Sequence, residues 1–111
     1  MVNIADAINE FQNLQRQLLA VIGQKQQLLL QEEEIKVAKE ELKSAKGQIF
    51  RAVGGVLIES NPKDTAAALD AQVEAIKLRA KMIEKQEERI TKRMNEIKET
   101  VERAESKKEA Y

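Results

Sequence analysis

The stretch that decides the fold runs from Gln48 to Ser60 and reads QIFRAVGGVLIES. Six large apolar residues that favour β-strands flank the Gly54-Gly55 pair. Two glycines between such runs are typical of a type I′ turn, in which both central residues take a positive φ. The stretch therefore predicts a β-hairpin with strands at 48–53 and 56–60. The alternative is an irregular loop between helices, although such a loop has no use for so many apolar side chains.

Apolar residues recur at every seventh position on both sides of this hairpin, which is typical of a coiled-coil seam. The first array is Ala7, Leu14, Val21, Leu28, Ile35, Leu42 and Ile49, and the second is Leu69, Ile76, Ile83, Ile90, Ile97, Ala104 and Tyr111. Because a tight turn joins the two arrays, we expect a mostly α fold, a long antiparallel coiled-coil hairpin. Its helices occupy 1–47 and 61–108, the β-hairpin occupies 48–60, and residues 1–111 form a single domain.

The start of the second helix has its own sequence signal. Asn61 suits the N-cap, and Pro62 suits the first helical position because its missing N–H would have no partner there. Asp64 follows three residues after the cap, where a carboxylate faces the positive end of the helix dipole. These residues place the start of the helix directly after the hairpin.

The seam of the first helix changes character along its length. With Ala7 at heptad position d, the a positions are apolar up to Leu18 and charged from Lys25 onward. An antiparallel alignment about the glycine pair brings Lys25 close to Glu87, and we expect their side chains to interact. As an exposed ion pair it contributes ~0–1 kcal/mol, so its main effect is on register. The same alignment pairs Leu28 with Ala80, Leu18 with Ile90, and Phe11 with Ile97.

Composition excludes several classes of function. The chain has no Cys and no His, so thiolate or imidazole metal sites and the usual nucleophile–base pairs are impossible. Lys plus Arg equals Asp plus Glu, at 19 each, which argues against a nucleic-acid partner. No apolar run approaches the ~20 residues that span a bilayer. We therefore expect a cytoplasmic protein that is not an enzyme, needs no cofactor and has no membrane partner.

Two regions carry apolar residues that one partner helix does not cover. Near the N-terminus, Ile8 at position e lies outside the a/d seam, and the residues expected opposite are small or charged. Each helix should be ~65–70 Å long, with both chain termini at the end far from the β-hairpin. Apolar surface at that end can bind unfolded segments without sequence specificity. The residues predicted to bind such unfolded segments, here called the client-binding residues, are Ile4, Ile8, Phe11 and Ala104.

The second region is the β-hairpin itself. An isolated two-stranded hairpin is marginally stable in water, and its free edges invite pairing with another chain. We therefore expect hairpins from several subunits to join into one sheet or barrel. The predicted oligomerisation residues are Ile49, Phe50, Val53, Val56, Leu57 and Ile58.

Three stretches resemble a known family. AVGGVLI (Ala52–Ile58) is similar to the central hairpin of β-class prefoldin subunits. IKLRAKMIEKQEERI (Ile76–Ile90) resembles the family's segment ending in Lys-Gln-Glu-Glu-Arg, and FQNLQRQL (Phe11–Leu18) resembles its glutamine-rich first helix. Gly55 departs from the family's usual Asn at the turn.

The resemblance implies an ATP-independent chaperone, a holdase, of archaeal or eukaryotic type, with an archaeal origin favoured. Such a subunit joins a hexamer of two α-class and four β-class subunits whose hairpins form a β-barrel base. Its coiled-coil tips capture unfolded proteins and deliver them to a group II chaperonin. The competing hypothesis is a structural coiled-coil spacer or tether without chaperone activity.

Overall fold

The computed structural model describes the backbone of residues 3–109 and the side chains of residues 3–106. It contains helix α1 (Ile4–Lys43), strands β1 (Ile49–Val53) and β2 (Val56–Ser60), and helix α2 (Pro62–Glu109). Two long helices with a short antiparallel hairpin between them confirm the predicted fold class. Of the residues in the predicted seam, Tyr111 lies outside the described residues.

The chain divides into two compact units. The first, here called the terminal unit, comprises Met1–Lys25 and Lys81–Tyr111. The second, the hairpin unit, comprises Gln26–Ala80 and contains both strands. Each unit holds one stretch of α1 packed beside one stretch of α2, so each has its own part of the seam.

The hairpin turn has the predicted conformation. Gly54 and Gly55 have φ values of 56° and 81°, and both lie in the left-handed region that glycine adopts at low cost. The strands pair antiparallel from Val53↔Val56 at the turn to Ile49↔Ser60 at the open end. This pairing puts the side chains of Val53, Val56 and Ile58 on one face of the sheet and those of Phe50 and Leu57 on the other.

Helix α2 begins with the predicted cap. The Asn61 side-chain oxygen accepts a hydrogen bond from the Asp64 backbone N–H at 2.8 Å, and the Asn61 amide donates to the Asp64 carboxylate at 2.8 Å. The Ser60 and Thr65 hydroxyl groups lie 2.8 Å apart, and Thr65 is buried. The strand β2 is therefore tied directly to the first turn of α2.

Helix α1 ends earlier than the sequence predicts. It stops at Lys43 rather than near residue 47. The N–H groups of Ser44 and Ala45 donate to Glu41 and Leu42, three residues back, so the last turn tightens before the helix stops. Gly47 then takes a φ of 88°, which reverses the chain into β1. The heptad pattern gives no sign of this local tightening, because the apolar repeat continues to Ile49 although Ile49 lies in a strand.

The buried apolar residues among side chains 3–106 are all at heptad position d. In the terminal unit they are Val21, Ile90 and Ile97, and in the hairpin unit they are Leu28, Ile35 and Ile76. The a positions beside them are half-buried in both helices. The core is therefore the seam of a helix pair, as the seven-residue repeat predicts.

Candidate client-binding and assembly surfaces

The terminal unit has an apolar hollow beside its seam. It has a volume of about 170 Å³ and is lined by Ile8 and Phe11 of α1 and by Ile97, Lys98 and Val101 of α2. Ile97 forms the floor and is 3% exposed, whereas Ile8 at the rim is 43% exposed. Lys98 contributes its aliphatic stem to such a wall while its ammonium group stays in water. An apolar side chain of another polypeptide could fill the hollow without desolvating a charge.

Two of the four predicted client-binding residues line this hollow, and two do not. Ile8 and Phe11 form its α1 wall. Ile4 and Ala104 are half-buried and are not among the lining residues. The α2 wall was not singled out from the sequence, although the antiparallel alignment already pairs Phe11 with Ile97.

An ion pair closes the other flank of this part of the seam. Arg93 donates from Nε to Glu10 Oε1 at 2.8 Å and from Nη2 to Glu10 Oε2 at 3.1 Å, which makes a bidentate bridge between the helices. Arg93 also donates from Nη1 to Glu96 at 3.3 Å. The hydrogen bonds from Arg93 are the main reason that the pKa of the Glu10 carboxyl is lowered; desolvation opposes them, and the positive charge of Arg93 adds a further lowering. The bridge fixes the helices beside the hollow while leaving Ile8 outside.

The predicted contact between Lys25 and Glu87 is confirmed. The Lys25 Nζ lies 3.7 Å from Glu87 Oε2, with both side chains about one-third exposed. This carboxylate oxygen is itself buried and accepts no hydrogen bond among the described residues. The contact is therefore a loose ion pair, which fits a role in register better than one in stability. A third ion pair between the helices joins Lys39 to Asp70 in the hairpin unit.

The sheet of the hairpin unit exposes apolar side chains on both faces. Phe50 and Leu57 are 60% and 70% exposed on one face, and Val53, Val56 and Ile58 are exposed on the other. Within the part of the chain that the structure describes, each strand pairs on one edge only. Of the six predicted oligomerisation residues, only Ile49 is partly covered.

A cleft of about 730 Å³ lies where the sheet meets the helices of the hairpin unit. Four consecutive residues of β1, from Ile49 to Ala52, line it, so the strand's edge borders the cleft. The remaining walls are mainly small or aliphatic: Ala38, Leu42, Ala45, Ala68 and Leu69. Exposed edges, two apolar faces and an open cleft make this unit the second candidate surface.

Among the side chains of residues 3–106, no group of three or more acidic residues is placed to hold a metal ion. No helix among residues 3–109 is long and apolar enough to cross a membrane.

Comparisons with known proteins agree with this geometry. A family model described as "Prefoldin subunit" matches residues 5–107. The prefoldin subunit beta of Methanococcoides burtonii is 35% identical over 103 residues, which cover 91% of this chain and 88% of that protein. The prefoldin subunit beta of Archaeoglobus fulgidus is 28% identical over 95 residues, covering 84% of this chain and 82% of that protein.

A solved structure has the same fold. The crystal structure of the prefoldin beta subunit from Thermococcus strain KS-1 superposes with a TM-score of 0.83 and covers 91% of this chain and 90% of its own, at 23% identity. The fold defines a class of protein in which two long helices flank a short antiparallel β-hairpin. The chain belongs to the prefoldin subunit family, and the β-class resemblance expected from the sequence is confirmed.

Proposed function

We propose that the chain is an ATP-independent holdase subunit that captures non-native polypeptide on its terminal unit. The observation that carries the proposal is the hollow beside the seam, with Ile8 exposed at its rim and Phe11 and Ile97 within. A large aliphatic side chain exposed next to an apolar hollow gains free energy by binding apolar groups from another chain. Capture of this kind needs no nucleotide, cofactor or catalytic group.

Assembly is the second part of the proposal. The exposed sheet would join with the hairpins of α-class and further β-class subunits, in a hexamer of two α and four β, with residues 1–111 acting as one domain. Family membership supports this assembly, and so do the uncovered faces of the sheet. Several terminal units would then hold one client, and weak contacts at each would add through avidity. The assembled complex would act in the cytoplasm and pass its client to a group II chaperonin.

Aggregation assays on the assembled complex test client capture. Ile8→Ser should weaken the suppression of aggregation of a chemically denatured protein several-fold, since each terminal unit loses one exposed apolar contact. Changing Ile4, Ile8 and Phe11 together to Ser should abolish it. The matched control is Met82→Ser, because Met82 lies in the same unit and is 65% exposed but does not line the hollow.

Two results would contradict the proposal. If Ile8→Ser and Met82→Ser weaken the suppression of aggregation equally, any exposed apolar residue would suffice for client capture. No loss in the triple variant, at unchanged native mass, would favour the structural spacer or tether over the holdase. Native mass spectrometry of each variant complex separates a loss of capture from a loss of assembly.

A further inference from the structure

A second stripe without charges runs along α1 in the terminal unit, next to the hollow. Its members, here called the outer stripe, are all exposed: Ile8, Gln12, Gln15, Leu19 and Ile22. Leu19 is 70% exposed, more than any other large apolar residue described in this unit. The stripe lies outside the a/d seam, so the packing of α1 against α2 does not cover it.

The spacing within the outer stripe alternates between four and three residues. This is the spacing that keeps side chains on one face of a helix and allows a second helix to pack along it, knob into hole. From Ile8 to Ile22 the stripe is about 21 Å long at 1.5 Å per residue. A partner helix of about four turns would match it over that length.

The outer stripe itself carries no charge, and the part of α1 around it carries little. Between Phe11 and Gln24 the helix has a single charged residue, Arg16, whose guanidinium is held by the Asn13 side chain at 2.8 Å. Glutamine amides both donate and accept hydrogen bonds, so they pair with polar groups of either kind. A partner would therefore be selected by its apolar spacing and not by its charge.

We propose that the outer stripe docks an amphipathic helical segment of the client. The inference rests on the proposed holdase function and specifies which segments are held. It follows from the four–three spacing and from continuity with the hollow, because Ile8 belongs to both surfaces. An extended segment presents its side chains at every second residue, roughly 7 Å apart on one face, and does not follow this spacing. Partly folded helices with a bare apolar face are thus the preferred clients.

Two labelled peptides of identical composition test this inference. One carries Leu at alternating four- and three-residue spacing, and the other carries the same Leu residues at every second position. Fluorescence anisotropy measures their binding to the assembled complex. The first peptide should bind about tenfold more tightly than the second. In the L19Q/I22Q variant, the affinity for the first peptide should fall by about the same factor, and the affinity for the second should not change. The matched control is L78Q/M82Q, which removes from α2 two apolar residues that are 63% and 65% exposed.

Several outcomes would overturn the inference. These are equal binding of the two peptides, no binding of either, or equal effects of L19Q/I22Q and L78Q/M82Q. A lower native mass for L19Q/I22Q would show that the stripe is instead a contact between copies of the chain. If Ile8→Ser weakens aggregation suppression while L19Q/I22Q changes nothing, the holdase proposal stands and the helix-docking inference falls.

Discussion

The terminal unit and the hairpin unit both expose large apolar side chains, but on different kinds of surface. In the terminal unit these side chains border a seam whose core residues, Ile90 and Ile97, are 5% and 3% exposed. In the hairpin unit they cover both faces of a two-stranded sheet. A helix rim satisfies its own backbone hydrogen bonds, whereas a sheet edge leaves N–H and C=O groups unpaired.

This difference suggests different partners for the two units. A strand edge gains most from a permanent neighbour that completes its hydrogen bonds. A helix rim can gain and lose an apolar contact without breaking any backbone hydrogen bond, which suits a client that must leave. The a positions of α1 change in the same direction: Phe11 and Leu18 are apolar in the terminal unit, whereas Lys25 at its boundary and both Glu32 and Lys39 in the hairpin unit are charged.

The largest expected effect is on assembly and concerns the hairpin unit alone. Val56→Asp should dissociate the complex, because an unpaired carboxylate buried between hairpins costs several kcal/mol. Val53→Asp and Ile58→Asp should act alike. Native mass spectrometry measures the loss, and circular dichroism should show that most helicity survives. The control is Val56→Thr, which keeps a β-branched side chain without a charge. A Val56→Asp variant with its parent's mass would show that the sheet is not the assembly surface.

The next effect concerns the floor of the hollow. Ile97→Ala should lower the free energy of unfolding by roughly 2–4 kcal/mol, because Ile97 is buried in the seam. Met82→Ala, at an exposed site, should change it by less than about 0.5 kcal/mol. Urea titrations at one fixed protein concentration allow the comparison, since assembly also contributes to stability. Similar unfolding midpoints for the two variants would mean that the hollow does not lie beside a packed seam.

The smallest effect tests the ion pair beside the hollow. Arg93 lowers the pKa of Glu10 in the folded state, so this contribution to stability is fully present above the ordinary value of 4.5 and is lost as the pH falls through the lowered pKa. Glu10→Gln should therefore lower Tm slightly at pH 7, less than Ile97→Ala does. The difference from the parent should shrink below pH 4.5 and in high salt. A difference that grows on acidification would contradict the bidentate bridge.

Most of the fold could be predicted because it depends on local and periodic signals. Gly54-Gly55 specifies the turn, the d positions specify the seam, and Asn61 with Asp64 specifies the start of α2. The antiparallel alignment also correctly predicts the contact between Lys25 and Glu87. The end of α1 was placed too late, since the switch to three-residue hydrogen bonds before Gly47 leaves no mark in the heptads.

The candidate site was predicted only in part. Ile8 and Phe11 were found from an excess of apolar residues in one helix, but a hollow has two walls, and Val101 and Lys98 belong to the other. Their contribution to the hollow depends on how the side chains of the two helices interleave. The periodicity of either helix alone does not describe this interleaving. The bridge between Glu10 and Arg93 was missed too, although opposite charges at matching g positions of antiparallel helices are a readable signal.

Site-specific photo-crosslinking on the assembled complex tests the division of roles between the two units most directly. A photoreactive amino acid replaces Ile8 in one variant and Leu57 in another, and each complex is irradiated with a denatured client. The account predicts that position 8 crosslinks to the client and that position 57 crosslinks to neighbouring subunits. Client crosslinks from position 57, with none from position 8, would contradict it.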